Sequence, residues 1–200
     1  MSMRLPAEQR RTQLLSVAVE MFGERGFHST SMDEVAEAAG VTKPVLYQHF
    51  PSKRALYREL LDEVDRQLVS ELMVATAAAP SGRERVEAGF AAYFRFVTEN
   101  RAAFRLLFGA SVRNDPEFAV VAERTIDRIA ALITEMIEIE APADHRRVLA
   151  HAIVGMAEST SRRLTNDGAE DDPDRLAAWL AEMAWFGLRG VRAEESAEHL

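Results

Sequence analysis

The feature that most constrains this chain is the run Ala39-Gly-Val-Thr-Lys-Pro-Val-Leu-Tyr-Gln-His-Phe-Pro-Ser-Lys53. Before it, Met32, Val35, Ala36 and Ala39 fall on one side of a short helical repeat. Within it, Val45, Leu46 and Phe50 do the same. Gly40 supplies a tight turn between the two at no steric cost. Ser31-Met-Asp-Glu34 has the form of a capping box, in which a serine oxygen satisfies a free backbone N–H and the glutamate reaches back. Thr42 is the next plausible N-cap, and Pro44 suits a first turn, where a missing N–H costs little. Two short helices meeting at a Gly turn form the layout of a helix-turn-helix. Ala36 must be small where they approach, and Val41 and Leu46 plug their shared core.

The rest of the chain also reads as helix. Leu14, Leu15, Ala18, Val19 and Phe22 make one stripe between Arg10 and Phe22, and Gly23 and Gly26 mark its end. Pro51-Ser52 stops the second short helix and caps another, over about 53–79. Pro80-Ser81-Gly82 breaks the pattern. A helix follows over about 83–100, then a short one carrying Phe104, Leu107 and Phe108. Asp115-Pro116 opens a helix to about Glu140, ahead of Pro142. Further helices run over about 144–166 and from Asp172-Pro173 to about Arg192, separated by an acidic loop at 168–174. No segment alternates like a strand. The expected fold is all-α, with about nine helices. A three-helix helix-turn-helix domain occupies 1–52, and a larger helical ligand-binding and dimerisation domain occupies 53–200.

Charge divides the chain in the same place. The net charge is −8, yet residues 1–60 carry 8 Lys and Arg against 7 Asp and Glu, and both lysines, Lys43 and Lys53, lie there. The acidic excess belongs wholly to the second part, which suggests different partners for the two segments. With Cys 0, disulfides, thiolate catalysis and cysteine-ligated zinc are excluded. No apolar run approaches a membrane span, and the first residues lack a signal-peptide core, so a cytoplasmic protein without a membrane partner is expected. There is no HExxH, no glycine-rich phosphate loop and no nucleophile–base pairing. We expect no enzyme and no cofactor. Asp171, Asp172 and Asp174 resemble a metal cluster only superficially, and a solvated loop with a helix cap explains them.

The outer face of the second short helix is left with Thr42, Lys43, Pro44, Tyr47, Gln48 and His49, a set of phosphate and base-edge donors on a short rigid surface. Together with the Thr/Ser-capped helices, the Ala39-Gly-Val turn, Lys43-Pro44, Leu46-Tyr-Gln-His-Phe50 and Ser52-Lys53, this segment strongly resembles the tetracycline-repressor (TetR) family. The resemblance implies a DNA-binding transcriptional regulator, most naturally a repressor released from a palindromic double-stranded operator by a small effector. It makes the second short helix the recognition helix. Lys43, Pro44 and Val45 would face base edges, and Gln48 would bond an adenine edge. Tyr47 and His49 would touch the backbone, Thr42 and Lys53 would bind phosphates, and Ser31 would join the set. Asp33 also points toward DNA in this layout, where it completes the helix start or accepts from a cytosine. Arg4, Arg10 and Arg11 form either a basic arm or a solvated helix start.

In the second part, the last two helices are apolar on more than one side, which calls for a second partner. A homodimer built as a four-helix bundle answers that need. The expected interface is Ala152, Gly155 and Ser159 on one helix and Leu180, Ala184, Gly187 and Val191 on the other. Trp179, Met183 and Phe186 form the remaining stripe. The middle helices are aromatic. Their residues are either plain core or a pocket for an apolar ligand, with Phe90, Phe94, Phe104, Phe108 and Met136 as lining. His151 is either a polar anchor there or, with Glu158 and Arg162, part of a solvated stripe. The competing reading is a constitutive DNA-binding or protein-regulated helical adaptor without a small-molecule effector.

Overall fold

The computed structural model describes residues 6–165 and 172–191. Arg4, Gly168, Asp171 and the tail from Arg192 onward, all invoked above, lie outside the described residues. Within them the chain is all-α. Its helices are α1 (Ala7–Ser29), α2 (Met32–Ala38), α3 (Lys43–His49), α4 (Lys53–Ala77), α5 (Gly82–Glu99), α6 (Arg101–Phe108), the single turn α7 (Ala110–Arg113), α8 (Pro116–Met136), α9 (Ala143–Thr165) and α10 (Pro173–Gly190). None of the described helices is long and apolar enough to cross a membrane.

Two helix ends differ from expectation. Gly23 does not end α1. The helix runs through it and kinks only at Gly26, whose φ of 79° lies in the left-handed region. Gly23 is instead the point where α1 meets the backbone of α6 at Ala102. α8 stops at Met136, short of Glu140, and Ile137, Glu138 and Ile139 turn away to form part of a cavity wall.

The contacts divide the chain into two units. The first runs to Arg66 and also takes Asn100–Ala122; the second comprises Gln67–Glu99 and the chain from Glu123 onward. Thus α6, α7 and the first part of α4 pack with the helix-turn-helix. The Tyr57 hydroxyl, buried on α4, donates to the Leu106 carbonyl at 3.3 Å. The core of the first unit is built from Leu14, Ala18, Phe22, Val35, Leu46, Leu56 and Leu60, all buried. Phe22, Phe27, Tyr57 and Phe118 form an edge-on aromatic cluster with ring centroids as close as 4.6 Å. Arg54 lies over Phe118 at 4.8 Å and pairs with Asp115 and Glu117 at 2.9 and 2.7 Å.

In the second unit α5 packs against α9 and α10, which also pack against each other. Phe94, Phe96, Val97, Ala150 and Ala181 fill these seams. Asp172 caps α10 by accepting from the Asp174 amide at 3.0 Å, ahead of Pro173 at the first helical position.

Candidate nucleic-acid interface and ligand cavity

The reading head is set by short-range chemistry. The Ser31 hydroxyl accepts from the Glu34 amide at 3.2 Å, and the Glu34 carboxylate takes the Ser31 N–H at 2.8 Å, closing the capping box of α2. The Ser31 hydroxyl, donating to the Glu34 carboxylate at 2.6 Å, and the Ser31 N–H hold that carboxyl below its ordinary pKa, with Arg25 adding to the effect. Gly40, with φ 65°, makes the turn, and the Val41 amide returns to the Ala36 carbonyl at 2.9 Å. Leu46 then buries completely, which fixes how α3 rotates. With Leu46 and Phe50 inward, Thr42, Lys43, Pro44, Tyr47 and Gln48 are exposed on one side, while Val45 and His49 are half-buried.

These outward side chains differ in how free they are. Thr42 occupies the N-cap position, but its hydroxyl makes no cap bond. Tyr47 is 40% exposed for so large a side chain. Lys43 is paired with Asp33 at 2.8 Å. Ser31 is committed to its capping box. Lys53 donates to the Thr30 carbonyl at 2.7 Å and lies 4.5 Å over the Phe27 ring, so its ammonium ties the start of α4 to the end of α1. Arg11 is likewise a clamp and no arm. It donates to the His49 carbonyl at 3.0 Å, pairs with Glu59, and covers the Phe50 ring. Arg10 bonds Gln13 at 2.7 Å.

The second unit encloses a cavity of about 210 Å³, lined wholly by its own residues. Phe90, Val86, Ile133, Met136, Ile153 and Leu188 supply apolar walls. Thr76 is buried and returns its hydroxyl to the Leu72 carbonyl at 2.8 Å, so it offers little polarity. Tyr93 lies wholly buried in the wall, and desolvation pushes its phenol well above its ordinary range. The charged members are Arg85, Glu138 and Arg189. Arg85 pairs with Glu138, and its Nε is buried without a hydrogen-bond partner.

Of the expected lining, Phe90 and Met136 reach this cavity. Phe94 does not, because it points into the packed seams of α5 and is fully buried there. Phe104 and Phe108 belong to the first unit, their rings tilted against one another with centroids 5.0 Å apart, since α6 packs on α1. His151 is also outside the cavity; it faces Asp127 at 3.8 Å with its side chain 41% exposed. Sequence reasoning missed Arg85, Ile133, Ile153 and Trp185. The repeat of Ile129, Ile133 and Met136 on α8 is the signal in the sequence for this wall.

On α9 the expected residues lie on an open face, while on α10 the expected stripe is divided. Val148, Ala152, Gly155 and Ser159 are exposed on α9, and a Cβ at Gly155 would meet nothing within 4 Å. On α10 the exposed stripe is Trp179, Met183 and Phe186, at 52%, 51% and 59%. Ala184 is buried in the unit's own core and Leu180 and Val191 are half-buried, while Gly187 is open. Of the α10 stripe expected at the interface, only Ala184 is buried within the subunit, and the exposed apolar stripe is the neighbouring one.

Comparison with known proteins agrees with this geometry. Residues 14–60 match the family described as bacterial regulatory proteins, tetR family, and residues 82–187 match the tetracyclin repressor-like C-terminal domain. The HTH-type transcriptional activator FasR of Mycolicibacterium smegmatis is 36% identical over 193 residues, covering 94% of this chain and 87% of that protein. A TetR-like transcriptional regulator from Rhodococcus sp. RHA1 superposes with a TM-score of 0.78 at 30% identity, over 94% of this chain and 100% of the other. The regulator FadR of Bacillus subtilis, solved in complex with stearoyl-CoA, shares the fold at a TM-score of 0.76 and 15% identity, over 90% and 99% of the two chains. Helix-turn-helix, second-unit fold and full-length likeness together make this chain a member of the TetR family of DNA-binding transcriptional regulators.

Proposed function

We propose that the protein is a homodimeric regulator whose grip on a palindromic operator is released by a small, mainly apolar effector carrying an anionic end. The observation that carries this reading is the second-unit cavity, with aliphatic and aromatic walls and the buried, unpartnered Nε of Arg85. A buried guanidinium N–H without an acceptor is costly, and a ligand carboxylate or phosphate would satisfy it. A slim chain of methylenes suits the walls, and stearoyl-CoA in the Bacillus subtilis neighbour is a ligand of that chemistry. The exposed stripes of α9 and α10 support dimerisation, since apolar side chains of this size seldom stay in water without a partner. A dimer also places two recognition helices on half-sites about 34–36 Å apart, or a multiple of that.

The α4 helix begins at the reading head and supplies Leu72 and Thr76 to the cavity wall. An effector that favours one position of α4 over another changes operator affinity by its differential affinity for the two, and the coupling is reciprocal. The direction in which operator binding moves transcription depends on where the operator lies, and one relative is named an activator. The test is operator affinity titrated with fatty acids, acyl thioesters and apolar cations of matched length. The anions are expected to weaken operator binding and the cations to leave it unchanged. If compounds that bind the second unit leave operator affinity untouched, the protein is a constitutive DNA-binding dimer.

A further inference from the structure

An exposed acid stands beside the start of α3. Asp33 stands in the first turn of α2 and Lys43 at the first position of α3. The Lys43 ammonium lies 2.8 Å from one Asp33 oxygen and 3.0 Å from the other, so it is shared between both. Both side chains remain open to solvent, at 57% and 64%. A pair this exposed is weak and exchanges its partners readily. Lys43 is also one of only two lysines in the chain, and the other, Lys53, is committed to the Thr30 carbonyl. The free cationic charge of the recognition helix is thus cancelled by a side chain of the preceding helix.

We propose that Asp33 is a specificity-determining residue that acts through Lys43. On phosphates alone, Asp33 competes for the ammonium and its own charge opposes the backbone, so Lys43 adds little to sequence-independent attraction. At a G·C pair the exchange is favourable for both members. Lys43 donates to guanine O6 and N7, and Asp33 accepts from the cytosine amino group. At an A·T pair the exchange is poorer, because Lys43 finds a single acceptor on either base, adenine N7 or thymine O4, in place of guanine's adjacent O6 and N7. The pair therefore lowers non-specific affinity and rewards G·C opposite the start of α3. This inference rests on operator binding by the α2–α3 face and on nothing about the effector.

The experiment uses the full chain, a duplex selected by the wild type from a random-sequence pool, and a scrambled duplex of equal length. Asp33→Asn keeps the size of an exposed side chain and removes the charge. It is expected to bind the scrambled duplex about 2- to 5-fold more tightly, the scale of an exposed ion pair. Its plot of log K against log salt should steepen by about 0.9 per subunit as Lys43 turns to a phosphate. Base preference for G·C at one position in each half-site should fall. Glu37→Gln, an equal charge change one turn along α2, is expected to steepen the plot less. In a Lys43→Ala background, Asp33→Asn should add nothing, which isolates the coupling between the two residues. Equal effects of Asp33→Asn and Glu37→Gln, or an unchanged base profile, overturn the inference. A wild type that enriches no duplex overturns operator binding itself and this inference with it.

Discussion

Gly23 of α1 rests on the backbone of Ala102 in α6, so closely that a Cβ at position 23 would lie 2.7 Å from the Ala102 Cα. The two helices approach at a distance only glycine allows, and this brings α6 and α7 into the reading-head unit. Gly23→Ala is expected to destabilise the protein by roughly 1–3 kcal/mol, because the obstacle is backbone that cannot rotate away. Denaturant unfolding measures it; a neutral substitution would mean that the helices separate freely.

Replacing exposed groups of α3 should separate two kinds of contact. Tyr47→Ala is expected to weaken binding to every duplex about equally, since phosphates are alike everywhere. Gln48→Ala should change preference at one base position by about 1–3 kcal/mol. A competition assay over single-base variants distinguishes them, and an unchanged profile for Gln48→Ala removes its base-reading role.

The open faces of α9 and α10 should hold the dimer. Gly155→Arg places a charge where a Cβ meets nothing within the subunit, and Phe186→Glu does so on an exposed position. Both are expected to give folded, helical monomers with poor operator affinity, read by sedimentation and circular dichroism. Ala184→Arg is different: it attacks the subunit's own core and should unfold it. Wild-type protein that sediments as a monomer at micromolar concentration would end the dimer reading.

Filling the cavity should remove the response to ligand. Met136→Trp adds bulk to the wall, and Arg85→Gln removes the guanidinium. The first is expected to abolish effector binding with operator affinity retained. The second should cost acidic effectors about tenfold or more, the loss of one charge-assisted hydrogen bond, while sparing neutral ones. Calorimetry with matched acids and alcohols reports the difference.

Acid should loosen the reading head by a definable route. Glu34 is held below its ordinary 4.5 by Ser31, and Asp115 below its ordinary 3.8 by Arg54. A depressed carboxyl stabilises the fold above its unfolded pKa, and that contribution disappears as pH falls through the lower folded value. Glu34→Gln should therefore melt below wild type near pH 7, with the gap closing as pH falls below 4.5 and through the lowered folded value. A gap that is the same at both ends would show that charge on Glu34 contributes nothing.

The helix-turn-helix was legible because its determinants are local. A capping box spans four residues, Gly40 needs only its own φ, and Leu46 points inward from the spacing of its neighbours. What lay beyond the sequence involved choosing between two apolar faces of one helix. Both stripes of α10 have helical spacing, and only its packing against α5 and α9 decides that Ala184 goes inward and Trp179, Met183 and Phe186 stay outside. The same holds for the aromatics. Phe90 and Phe104 look alike as sequence, but α6 packs on α1 through Gly23, which draws Phe104 into the reading-head unit and leaves Phe90 at the cavity. The pairing of Lys43 with Asp33, ten residues away, likewise needs the turn at Gly40 to bring the two first turns together. Periodicity along a chain determines that a face is buried, while which partner buries it depends on contacts between residues far apart in sequence, and those exist only once the helices have packed.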